Sequence, residues 1–182
     1  MRSILDLFRS RGAAADGTRP EEAGATATVR KIVRALEEME PARARYVAAF
    51  AYLLGRVAHA DLDISDDETR RMEELVQRFG DLPEEQAVLV VEIAKSQNRL
   101  FGATENFQVA REFRQLATRD RRRELLDCLF AVSAADDTIS GEEEAQVRQI
   151  AEELGFSRRE YVEVRSAYND KRSVIQRLER RG

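Results

Sequence analysis

His59-Ala60-Asp61-Leu62-Asp63-Ile64-Ser65-Asp66-Asp67-Glu68 returns 75 residues later as Ala134-Ala135-Asp136-Asp137-Thr138-Ile139-Ser140-Gly141-Glu142-Glu143. Ala60, Asp61, Ile64, Ser65 and Glu68 are repeated in register by Ala135, Asp136, Ile139, Ser140 and Glu143. The frame extends outward, with Val57 answered by Val132 and Gly80 by Gly155. Such an internal repeat outranks local propensity in reading a fold, because each copy marks one supersecondary unit.

The segments around the two copies have helical period. Tyr46, Val47, Phe50, Leu53, Leu54 and Val57 make an apolar helix over about 42–60 that runs into the first acidic turn, and Leu125, Leu126, Leu129, Phe130 and Val132 do the same before the second. After the first turn Met72, Leu75, Val76 and Phe79 mark a helix that Gly80 is placed to end with φ > 0; Gly155 ends its counterpart. Pro83-Glu84-Glu85 and Ser157-Arg158-Arg159-Glu160 each open a further helix. The periodicity lapses between Ser96 and Thr104, the seam between repeats spanning about 42–95 and 120–168. A helix from about Glu105 carries Phe107, Ala110, Phe113 and Leu116, and Asp120 is placed to cap the next. A last basic helix runs from about Lys171 to Arg180. With 43% hydrophobic and 35% charged residues, three Pro and no Trp, the 182-residue chain reads as all-α, a compact multi-helix bundle of two similar halves.

Ahead of the repeats, Val29, Ile32, Val33 and Leu36 share one helical face and Pro41 separates that helix from the next. The folded domain is expected over 28–182, preceded by a 1–27 region. Within it Met1–Arg11 is amphipathic and basic, suited to a membrane surface or a partner groove, and Arg11–Ala27 has the composition of a flexible linker. A net charge of −4 argues against general nucleic-acid binding, which needs a broad positive field. Cys128, the single cysteine, excludes an intramolecular disulfide and thiolate zinc frameworks. No apolar run reaches transmembrane length, and the N-terminus lacks a signal-peptide core, so the expected location is the cytoplasm, with peripheral contact at the inner face of a membrane through residues 1–11.

Two readings of the repeated turn stand side by side. Ser65-x-x-Glu68 and Ser140-x-x-Glu143 are capping boxes, with Ile64 and Ile139 at the N′ position of a hydrophobic staple. Asp61 and Asp136 fall outside that account, since each places a negative charge at the negative end of the preceding helix. If the halves pack with pseudo-twofold symmetry, Asp61, Asp63, Glu68, Asp136, Asp137 and Glu143 gather into an acidic pocket whose hard oxygen ligands suit Ca²⁺ or Mg²⁺. Neither turn is an EF-hand: the twelfth places hold Met72 and Val147 instead of Glu. His59 is the only histidine, which removes di-iron and zinc-protease motifs and leaves it as a dipole partner of the preceding helix or a ligand. Cys128 lies in an apolar run where a thiol is inert, and no phosphate loop or nucleophile elbow occurs, so no enzyme activity, catalytic residue or organic cofactor is expected.

The pattern Ala-Asp-x-x-Ile-Ser-x-x-Glu occurring twice, with Ile150-Ala-Glu-Glu-Leu-Gly-Phe-Ser157 after the second copy, resembles the tellurite-resistance TerB-like family over roughly Ala42–Tyr168. A similar domain is found in membrane-anchored J-domain co-chaperones, but the chain has no His-Pro-Asp motif. The resemblance implies two similar helical halves, an acidic cluster holding a divalent metal through Asp61, Glu68, Asp136 and Glu143, and a link to tellurite or other stress. Family turns usually place Gly after the Asp, where this chain has Leu62 and Asp137, so the left-handed turn that Gly makes easy is open to question here. The function expected is a non-enzymatic module that presents this acidic, divalent-metal-binding cluster to a protein partner; the alternatives are a metal-free interaction scaffold or a peripheral membrane adaptor.

Overall fold

Pro20 opens the first helix, ahead of the expected Thr28, because its ring pre-sets helical φ and the N–H it lacks would have no intrahelical partner. In the computed structural model, which describes residues 20–58, 66–100 and 106–173, the stretch read as linker therefore turns helical at its end. Met1–Arg11, the rest of the linker to Arg19, His59 and most of the C-terminal basic helix lie outside the described residues.

Eight α-helices are described: α1 (Pro20–Glu37), α2 (Pro41–Val57), α3 (Asp66–Gly80), α4 (Glu84–Leu100), α5 (Asn106–Leu116), α6 (Arg119–Ser133), α7 (Gly141–Glu153) and α8 (Arg158–Ser166). The fold is all-α, as the residue pattern requires. α2 and α6 are the core helices. Nearly every residue of α2 from Tyr46 to Leu54 is buried, as is the α6 run from Cys128 to Ser133; a helix apolar on all sides has to be enclosed by others. The repeat frame coincides with the core: Phe50 and Leu125, Leu53 and Cys128, Leu54 and Leu129, Val57 and Val132, and Val76 and Ala151 are all buried.

The halves exchange partners, α3 of the first resting on α6 of the second and α7 of the second touching α2 of the first. α3 and α6 run antiparallel. Arg71 near the start of α3 donates to Ala135 O just past α6 (3.1 Å), while Arg121 at the start of α6 reaches Asp81 just past α3 (2.8 Å). α2 and α7 are joined by Arg56 and Glu153, whose Nη1 and Oε2 lie 2.6 Å apart with side chains only 4% and 11% exposed.

Several local expectations are corrected. Gly80 is the last residue of α3 and does not turn left-handed; the residue that does is Asp81, at φ +47°. Space is what requires glycine there, since a Cβ would meet Phe50 Cζ at 2.8 Å. Gly155 does take φ +81°. Thr118, not Asp120, caps α6, accepting the Arg121 N–H, while Asp120 complements the helix dipole from the first turn. α4 continues to Leu100 through the stretch read as a connector. Phe107 is 63% exposed, while Val109, Ala110 and Phe113 turn inward, so the buried face of α5 is rotated away from it. The last helix, expected from about Lys171, is preceded by a short 3₁₀ turn (Asn169–Lys171), and the backbone is α-helical at Ser173, the last described residue.

Candidate functional site

The second acidic turn is described in full and forms a braced corner between α6 and α7. Asp136 Oδ1 accepts the Thr138 N–H (3.2 Å), an Asx turn that starts the bend. Asp137 then takes φ +68°, the left-handed conformation at the position where glycine was the expected residue. Aspartate is among the few side chains that tolerate this region. Here Lys171 Nζ also sits 2.5 Å from Asp137 Oδ1 and, with Arg71 nearby, holds that carboxyl below its ordinary range; Asp137 in turn raises the ammonium pKa of Lys171. The doubt about the turn is thus resolved for the second copy: the conformation forms without glycine.

Ser140 and Glu143 make the reciprocal capping box the sequence indicates. Ser140 N–H donates to Glu143 Oε2 (2.8 Å) and Glu143 N–H to Ser140 Oγ (3.1 Å). Ile139 occupies N′ and is completely buried, but its staple partner at N4 is Glu144, so the expected apolar clasp is absent. Instead the Ile139 backbone pairs with the C-terminal segment. Its N–H donates to Lys171 O (2.7 Å) and its carbonyl accepts the Ser173 N–H (3.0 Å), a one-residue parallel bridge. Glu144 completes the brace, receiving Arg172 Nε and Nη2 at 2.8 and 2.7 Å and Arg165 Nη1 at 3.2 Å. Burial alone would raise the Glu144 pKa, but the Arg172 fork and Arg165 outweigh it and the net shift is downward.

Of the six carboxylates singled out, Asp61 and Asp63 lie outside the described residues. Glu68 is exposed on the first turn of α3 and has a partner of its own. Asp136, Asp137 and Glu143 are brought together along one corner, but each directs an oxygen at the chain: a turn amide, a lysine and a cap amide. Among the described residues no three such groups gather into a site able to hold a metal ion. The described carboxylates alone do not make up a Ca²⁺ or Mg²⁺ centre, and Asp61 and Asp63, the rest of the expected set, lie outside the described residues. The antiparallel packing of α3 on α6 does place the helix leaving the first turn against the second turn, as the Arg71 contact shows.

Sequence reasoning missed Glu144, Arg71, Lys171 and Arg172. The signals were the third glutamate of Glu142-Glu143-Glu144 and the adjacent cations at 171 and 172, but their pairing spans 28 to 34 residues. Cys128 is fully buried, and its thiol pKa is pushed up by that burial and by Asp127, in keeping with an inert thiol. No described helix is long and apolar enough to cross a membrane.

Two helix, acidic turn, helix units with exchanged packing and a capping-box corner define a tandem helical repeat module. The family described as "Tellurite resistance protein TerB" matches residues 46–166, which contain both turns, and the chain belongs to this tellurite-resistance family. Comparison with curated proteins and with solved structures gives no match.

Proposed function

We propose that the protein is a non-enzymatic cytoplasmic module of the tellurite-resistance response whose acidic corner is recognised by protein partners, without a metal in the second turn. The observation that carries this reading is the bracing of that corner. Asp137 and Glu144 are paired with Lys171, Arg172 and Arg165, and Asp136 and Glu143 each accept a backbone amide, so that Asp136 and Glu142, both exposed and with no cation paired to either among the described residues, stand on a shape-stable acidic edge. A pre-organised charged edge favours encounter with a basic partner and loses little entropy when it binds.

The test is quantitative cross-linking in the native host with wild type, Asp136→Lys/Glu142→Lys, and the control reversal Glu84→Lys/Glu85→Lys at the start of α4. Partners lost with the first variant and kept with the control support the reading. Equal partner sets for all three proteins would remove it.

A further inference from the structure

The contacts between the second corner and residues 171–173 resemble a ligand in a slot more than a helix packed on its neighbour. Ile139 offers its N–H and its carbonyl to the residues either side of Arg172, which is extended between the 3₁₀ turn and Ser173, a one-residue version of the pairing a sheet edge makes when a peptide adds to it. Beside that main-chain pairing stand two carboxylates of different geometry. Asp137 meets the point charge of Lys171, and Glu144, whose side chain is 17% exposed, meets the planar fork of Arg172 with both oxygens.

The repeat gives an independent reason to treat this segment as an addition. The equivalent stretch of the first half, residues 96–98, stays within the continuous helix α4, whereas the second half leaves α-helix after Ser166 and reaches the corner through a 3₁₀ turn. The resident segment also fits imperfectly. Ser173 is 8% exposed and its Oγ has no partner. A buried hydroxyl without a bond weakens whatever buries it. A segment held by one bridge and two side chains can open without unfolding the core.

We propose that the corner around Ile139 is a binding slot for a Lys-Arg turn segment of a partner protein, and that the chain's own Lys171-Arg172-Ser173 occupies it as an intramolecular competitor. This rests on the acidic corner meeting protein partners and names the chemistry of the partner: a basic dipeptide whose arginine is extended and whose flanking backbone groups pair with Ile139. Release of the C-terminal segment is then the event that opens the corner.

The experiment uses the full chain and a fluorescent peptide copying Asn169–Ile175, read by fluorescence anisotropy. Lys171→Ala/Arg172→Ala should bind the peptide at least tenfold more tightly than wild type, and adding Glu144→Gln should abolish that gain. A peptide with Glu in place of Lys and Arg should not bind. Equal binding to wild type and variant, or a gain that survives Glu144→Gln, overturns the slot. Dimerisation of the variant through exchanged C-termini, with no site left for added peptide, overturns the assignment to a foreign partner.

Should the variant fail to fold, hydrogen exchange on wild type decides the matter. The Ile139 and Ser173 amides should exchange together and at least tenfold faster than the Leu129 amide in α6. Exchange of all three at one common rate, that of global unfolding, overturns the proposal. If peptide binding fails while Asp136→Lys/Glu142→Lys still loses cross-linked partners, the slot falls and the acidic-edge function stands; the reverse pattern removes the function and keeps the slot.

Discussion

Replacing Glu153 by glutamine removes the countercharge from Arg56 while preserving shape. Arg56 is held with its side chain 4% exposed, its guanidinium shared between the two Glu153 oxygens at 2.6 and 3.4 Å, and its Nε buried without a partner. Breaking a buried pair from one side costs about 3–5 kcal/mol, because the remaining charge keeps its desolvation penalty and loses its compensation. For a chain of this length that loss lowers Tm by roughly 6–20 °C. Arg56→Met/Glu153→Met removes both charges and the unpaired Nε, and is expected near wild-type stability or above it. Urea unfolding of wild type, Arg56→Met, Glu153→Met and the double variant, with m unchanged, should show a coupling of at least ~2 kcal/mol. The effect should persist at high salt, since so buried a pair is poorly screened. A Glu153→Gln penalty below about 1 kcal/mol would refute the reasoning and show that Arg56 finds compensation elsewhere.

Gly80→Ala drives a Cβ to 2.8 Å from Phe50 Cζ, in a ring cluster closed by Tyr46 and Phe113. Overpacking of about 1–3 kcal/mol outweighs the ~1 kcal/mol that alanine gains in a helix, so Tm falls by a few degrees, and in a Phe50→Leu background the same change raises it; a rise in the wild-type background would contradict the packing. The lowered Glu144 pKa gives stability that is full above its ordinary unfolded value, ~4.3, and is lost as pH falls through the folded value. The stability gap between wild type and Glu144→Gln should therefore narrow on acidification below about pH 4, and a gap constant from neutral pH into acid would count against the Arg172 brace. Cys128, enclosed in α6, should react with a thiol reagent only at the rate at which the protein opens, so rapid labelling of the native chain would place that helix wrongly.

The parts of the fold legible in the sequence were those governed by local rules. The period of Met72, Leu75, Val76 and Phe79 gave α3, the capping box at Ser140 gave the start of α7, and the stretch Ser157-Arg158-Arg159-Glu160 gave that of α8, where the structure adds a second capping box. The frame from Val57/Val132 to Gly80/Gly155 gave the two halves before any packing was known. What escaped depends on contacts between distant residues. Glycine at 80 looked like a left-handed cap because that is the common reason for glycine after a helix, and only the ring of Phe50 reveals a steric one. Asp137 looked like a departure that endangers the turn, and the lysine that steadies it lies 34 residues on. The acidic cluster was legible as composition but not as geometry: spacing cannot tell whether carboxylates face a common point or each serve a neighbouring amide or cation. At the second turn they do the latter.

We propose that the second corner serves as a braced acidic edge and not as half of a metal site. The most direct test is thermal unfolding of wild type and Asp61→Asn/Asp136→Asn, each with and without millimolar Ca²⁺ or Mg²⁺. Binding at 100-fold over the dissociation constant would add roughly 2.7 kcal/mol, a rise of about 5–10 °C at this chain length. No cation-dependent shift is expected in either protein. A rise of that size in wild type, lost in the double variant, would contradict the proposal and establish the paired aspartates as metal ligands.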